Sequence, residues 1–234
     1  MIAYTEDKKR HSLDTDNFIG EGEYGRVYLT SNNKCLKIFK ESISRKDKKS
    51  FDEDAFNIIR ELKPKNIYTL GDLYYNRTLT RILGYLSEYY AKEDIDILTM
   101  PVDYTFDSLC SLYDSFTLLS KYKICVEDVT TLNVILNNNG MTIIDIDSYY
   151  KDNKNTEKSI LKNNLYALGE LFACIYINSL TEVDAGKRVR MADKIERLFM
   201  PIGAFGVEPV IKKLIKYKYP IDYLQKRWYT YRVV

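Results

Sequence analysis

The chain of 234 residues has one histidine, one tryptophan, five prolines and four cysteines. The single histidine, His11, lies in a polar segment before the first predicted strand, which excludes a histidine-dependent nucleophile triad and a multi-histidine metal centre. Cys35, Cys110, Cys125 and Cys174 are far apart and form no C-x-x-C pair, so buried free thiols are expected. No apolar run reaches membrane-spanning length, and Met1 to Arg10 lack the apolar core of a secretion signal. A cytoplasmic protein without membrane partners is expected. Excess charge of one sign is missing too: 35 basic against 33 acidic residues leave a net charge of +2, and no global electrostatic case for nucleic acid. Lys212, Lys213, Lys216, Lys218, Lys226 and Arg227 read as a solvated helix face.

What is present is ordinary for a globular protein, with 45% hydrophobic and 29% charged residues, and the length suffices for one domain or two packed lobes. The 21 tyrosines, such as Tyr85, Tyr89, Tyr90 and Tyr166, fall in apolar patterns and read as core and boundary packing. Glycine is sparse, ten in all, yet Gly20, Gly22 and Gly25 fall within six residues at G-x-G-x-x-G spacing. Such a backbone can approach a polyphosphate without side chains in the way. In a dinucleotide-binding fold the glycines would open a helix. Here Val27-Tyr28-Leu29-Thr30, an asparagine turn at residues 31–34 and the apolar run Cys35-Leu36-Lys37-Ile38-Phe39 follow, which predicts a β-hairpin with Lys37 on its next strand.

A charged connector, Glu41 to Lys49, precedes a helix from Phe51 to Leu62 with apolar residues at 51, 55, 58, 59 and 62 and a stop at Pro64. Apolar runs near residues 67–68, 82–85 and 95–98 predict further strands, and 86–90 suits a strand or a short helix. Beyond Pro101 the pattern turns helical, at Phe106 to Leu119, at Lys162 to Ser179 and twice between Asp184 and Lys226. Between these helices, residues 126–136 and 141–147 flank an Asn-Gly turn and predict a second hairpin presenting Asp128, Asn133 and Asp145.

A loop acid, an asparagine five residues on, and an apolar strand ending in another acid, preceded by the glycine turn and strand lysine, resemble the active-site pattern of the protein kinases and their relatives. The resemblance runs from Gly20 to Leu165-Tyr166-Ala167-Leu168-Gly169, which looks like the family's buried C-lobe helix. It implies an α+β, bilobal kinase-like fold: an N-lobe of antiparallel sheet with one helix over 1–101, and a reduced helical C-lobe over 102–234. It implies ATP and magnesium, with Gly20, Gly22 and Gly25 over the phosphates, Val27 against adenine and Lys37 on the α and β phosphates. Met100 and Val102 would belong to the adenine-pairing hinge, Asp128 would orient the acceptor hydroxyl, and Asn133 with Asp145 would hold magnesium. Glu53 is the chosen ion-pair partner of Lys37, with Asp54 and Glu61 competing.

The departures are equally plain. Val126 and Glu127 replace the histidine and arginine that usually precede the loop acid, Thr130 replaces a lysine, and Asp145-Ile146-Asp147 replaces D-F-G. Asp147 reads as a turn cap or as a helper ligand for a second magnesium. Asn164 stands where the family has an aspartate, and the nineteen positions from Asp145 to Asn164 hold no A-P-E. The expectation is a phosphotransferase acting on a protein serine or threonine. The alternatives are a small-molecule kinase of the aminoglycoside or choline type and a nucleotide-binding pseudokinase scaffold.

Overall fold

The computed structural model of the chain describes residues 1–90, 102–137 and 140–179. They form a mixed α and β structure with a large antiparallel sheet and three α-helices. Two compact units result: Met1–Pro64, Tyr68–Ala91 and Asp145–Lys151 in the first, and Lys65–Ile67, Lys92–Ile144 and Asp152–Val234 in the second. Segment Asp145–Lys151 belongs to the first unit, although it follows most of the second in the chain.

The sheet of the first unit comprises β1 (Ile2–Tyr4), β2 (Arg10–Ser12), β3 (Phe18–Glu21), β4 (Gly25–Leu29), β5 (Lys34–Ser44), β6 (Leu70–Tyr75) and β7 (Arg81–Glu88), in the order β2-β1-β6-β7-β5-β4-β3. Residues Thr30 to Lys34 turn between β4 and β5, with Asn33 in the left-handed region at φ 56° as asparagine tolerates. Side chains alternate across β5. Leu36 joins Ala3, Leu13 and Tyr74 in a buried cluster, with Ile38 packed against it. Lys37 and Phe39 therefore face the other way. There Phe39, Phe51, Phe56 and Tyr85 form an aromatic cluster, with ring centroids 5.4 Å apart for Phe39–Phe51 and 5.2 Å for Phe56–Tyr85.

Phe56 brings in α1 (Glu53–Leu62), whose buried face is Ala55, Phe56 and Ile59. Its N-cap Asp52 accepts from the amides of Asp54 and Ala55. Lys63 ends it in the left-handed region, its amide donating to the Ile59 carbonyl. The second Asp52 oxygen accepts from the Lys151 amide at 2.8 Å, tying the returned segment to the helix start.

Two expectations change here, and one open alternative is settled. Strand β5 runs on to Ser44, because Ile43 and Ser44 pair with Ile82 and Arg81 after a register break, so half of the supposed connector is sheet. Residues 86–88 are strand. His11 lies on β2, opposite Ala3 on β1, since three-residue strands are too short to leave a periodic pattern.

The second unit contains α2 (Val102–Lys121), β8 (Ile124–Cys125), β9 (Val134–Asn137), β10 (Gly140–Ile143) and α3 (Glu157–Ser179). Both helices begin several residues before their predicted starts, and they pack against each other. Leu112, Phe116 and Leu119 on α2 are fully buried at the i, i+4, i+7 spacing of one helix face. On α3 the buried hydrophobic side chains among the described residues are Ile160, Leu165, Leu168 and Leu171. Strands β9 and β10 form the predicted antiparallel hairpin. Gly140 has φ +93°, and a Cβ there would collide with the Ser108 hydroxyl, which itself accepts from the Met141 amide at 2.9 Å. Glycine is required at that point.

Cys35 and Cys125 are buried and in no disulfide, as expected of them. Among the described residues no helix is long and apolar enough to cross a membrane. The supposed strand at 95–98 and the two last predicted helices lie outside the described residues.

Candidate functional site

The glycine turn joins β3 to β4 as the sequence predicts. Gly20 pairs with Val27 and Glu21 with Arg26, and the Gly22 amide donates to the Gly25 carbonyl at 2.9 Å. Glu21 also meets Lys40 at 2.6 Å, and that hydrogen bond leads the causes that lower its pKa. The three glycines are not equivalent. A Cβ on Gly25 would lie 2.8 Å from the Ile38 carbonyl oxygen and 3.2 Å from the Lys37 side chain, so Gly25 is smooth because Lys37 lies along it. Gly20 and Gly22 face open space with no positive φ. Packing gives no reason for glycine at either.

Lys37 sits in mid-sheet, paired with Val27 on β4 and with Tyr85 on β7. Its side chain is only 9% exposed, and its Nζ meets Asp145 Oδ1 at 2.6 Å and Asp147 Oδ2 at 2.5 Å. Burial alone would lower the ammonium's pKa, but the charges of Asp147 and Asp145 raise it instead. Burial likewise pushes the Asp147 carboxyl up to about 6 despite the lysine beside it. Tyr85, fully buried next to the same carboxylates, is held well above the ordinary phenol range, mainly by burial.

Asp145 occupies the left-handed region at φ 60°. Ile146, between the two acids, is buried. Both flanking carboxylates nevertheless reach the one Lys37 ammonium.

The expected ion pair between Lys37 and Glu53 is not formed. Glu53 instead receives Arg45, at 2.5 Å from Nη2 and 2.7 Å from Nε, and the Tyr75 hydroxyl at 2.7 Å. The guanidinium also lies over the Tyr75 ring, 4.8 Å from its centroid. A bidentate arginine at the end of the lengthened β5 satisfies this carboxylate before the lysine can. Asp54 pairs with Lys48 at 2.5 Å, and Glu61 is exposed at the far end of the helix. The lysine's partners, Asp145 and Asp147, lie after β10 instead.

In the second unit the loop after β8 carries Asp128 and Asn133. Asp128 is left-handed at φ 54°, and Asn133 Nδ2 donates both to its carbonyl at 3.0 Å and to its Oδ2 at 2.8 Å. The Thr130 amide donates to the same carbonyl at 2.9 Å. The Asn133 carbonyl in turn accepts from the Ile144 amide at 2.8 Å, so this loop is fixed to the residue preceding Asp145. Six other described non-glycine residues have positive φ, among them the helix-ending Lys63 and Asn33 in a tight turn. Asp128 and Asp145 are the candidate acids in that group, and strained backbone at such positions is characteristic of functional sites.

Asn164 on α3 is completely buried beneath that loop. Its Oδ1 accepts from the Val126 amide, and its Nδ2 donates to the Ile124 carbonyl and the Ser120 hydroxyl, all at 2.9 Å. The departure noted at this position is therefore a working hydrogen-bond hub, because an amide can both donate and accept.

Of the predicted site residues, Lys37, Asp145, the glycines and Val27 share the first unit, and Asp128 and Asn133 share the second. Met100 lies outside the described residues, and Val102 is the first residue of α2. Among the described residues no three histidines, cysteines, aspartates or glutamates form a metal-holding group. Magnesium, which takes one or two protein oxygens beside phosphates and waters, needs no such group. The Asp145 carboxylate and the Asn133 Oδ1, whose amide nitrogen is already committed to Asp128, are hard oxygen ligands of the kind it takes. No protein-family model matches the chain, and no curated protein matches it significantly.

Proposed function

We propose that the chain is an ATP- and magnesium-dependent phosphotransferase of protein kinase-like fold, moving the γ-phosphate to a serine or threonine hydroxyl of a protein. The observation that carries this reading is the pairing of Lys37 Nζ with Asp145 at 2.6 Å across 108 residues of sequence, on the strand next to a turn whose Gly20 and Gly22 have no packing role. A buried ammonium so held is a fixed positive charge where phosphate oxygens require one. Open glycine backbone beside it lets phosphate oxygens approach without side chains in the way.

Phosphoryl transfer asks a protein for alignment and charge more than for covalent chemistry. Lys37 would hold the α and β phosphates under Gly20, Gly22 and Gly25, with Val27 against the base. Asp128, oriented by Asn133 and by the Asn164 hub, would take the acceptor hydroxyl's hydrogen bond. Asn133 and Asp145 would hold magnesium, which when bound supplies charge neutralisation for the phosphates. The finer roles of Met100 and Val102 as an adenine hinge belong to the same proposal.

The test is incubation of the purified protein with magnesium and γ-labelled ATP, alone and with a cell lysate, beside an Asp145→Ala variant that remains folded. Label entering protein hydroxyls with the wild type and absent with the variant is the expected result. Label passing only to small alcohols or aminoglycosides would refute the protein acceptor, and nucleotide binding without any turnover would refute transfer.

A further inference from the structure

We propose that Asp147, and not an acid of α1, positions Lys37 for a nucleotide's phosphates. This rests on the phosphotransferase reading above and assigns a role within the same site. Three observations converge on it. First, Asp147 Oδ2 contacts the ammonium at 2.5 Å, whereas Glu53 is saturated by Arg45 and Tyr75. Second, the two carboxylates on Lys37 differ in access: the Asp145 side chain is 37% exposed and that of Asp147 9%. The exposed one is available to a cation or phosphate-bound metal, and the buried one can stay with the lysine.

Third, the surroundings of Asp147 are built for that duty. Asp147 is as buried as Lys37 itself, Tyr85 stands in register with Lys37 on the adjoining strand and is fully buried, and the Phe39, Phe51 and Phe56 rings pack around Tyr85. A rotamer locked by such packing holds its partner in one place. Charge balance leads to the same assignment. An ammonium as buried as Lys37 needs a permanent counter-charge, and removing one member of a buried pair leaves the other uncompensated. If Asp145 turns toward a metal, Asp147 remains.

The experiment uses the full chain in four forms: wild type, Asp147→Asn, Asp147→Glu and Glu53→Gln. Two readouts are taken, the affinity for a magnesium-bound non-hydrolysable ATP analogue and the NMR signal of the Lys37 side-chain ammonium in the nucleotide-free protein. Expected are an ammonium signal lost or displaced in Asp147→Asn and retained in Glu53→Gln, and a nucleotide affinity about tenfold weaker in Asp147→Asn. Asp147→Glu should recover part of that affinity, while Glu53→Gln should change it by less than about threefold. Equal affinity in wild type and folded Asp147→Asn overturns the proposal, as does a loss in Glu53→Gln as large as in Asp147→Asn. A deficit in Asp147→Asn that extra magnesium abolishes also overturns it, since Asp147 would then be a metal ligand. A wild type that binds no nucleotide, with the ammonium signal still dependent on Asp147, overturns the functional reading together with this one.

Discussion

At the scale of single residues, the three glycines of the turn show how one residue type serves two ends. Gly25 is demanded by the fold, for any side chain there must displace the Ile38 carbonyl or the Lys37 stem. Gly20 and Gly22 are not, since the space beyond them is empty. Gly25→Val should therefore destabilise the protein by about 2 kcal/mol or more, as overpacked sites do. Gly20→Ala and Gly22→Ala should leave stability within about 0.5 kcal/mol of wild type, or slightly above it. Denaturant titration reads both effects, and nucleotide affinity measured on the same three variants should fall in all of them. The glycine spacing was legible in the sequence because it is local. Which glycine answers to packing was not, because Lys37 reaches Gly25 only through the pairing of β4 with β5.

Among the secondary-structure elements, the loop between β8 and β9 illustrates how a helix can hold a loop it does not belong to. Asn164 reaches from α3 to both backbone groups flanking Cys125, donating to the Ile124 carbonyl and accepting from the Val126 amide. Asn164→Asp keeps the acceptor but loses both donated bonds and buries a carboxylate. It should cost about 2–4 kcal/mol of stability in a chemical-denaturation experiment, with the penalty easing as the pH is lowered and the new acid protonates. An unchanged denaturation midpoint would remove the hub from the account. Helix α1 and the hairpin of β9 and β10 were readable from the chain, since periodicity, Pro64 and the Asn-Gly turn are local signals. Strands β1 and β2 and the tail of β5 were not, because short polar strands exist only by virtue of their neighbours.

For the whole molecule, a ligand that binds the native state alone must raise the unfolding temperature. At about 100 times its dissociation constant, magnesium-ATP should add roughly 2.7 kcal/mol, a shift on the order of 5–10 °C for a chain of this size. Differential scanning with and without nucleotide tests this, and the Asp145→Ala variant should show little of the shift. The sequence by itself determined the kinds of chemistry available: a glycine turn, a strand lysine, two left-over acids and an asparagine, with histidine and dithiol chemistry excluded. It also determined the order in which sheet and helices follow one another, because both rest on patterns a few residues long. Only the tertiary structure decided which acid holds Lys37, by giving Glu53 to Arg45 and returning residues 145–151 to the first unit. Ion-pair partners are chosen by proximity in space and by competition among all nearby charges, and neither quantity is written along the chain.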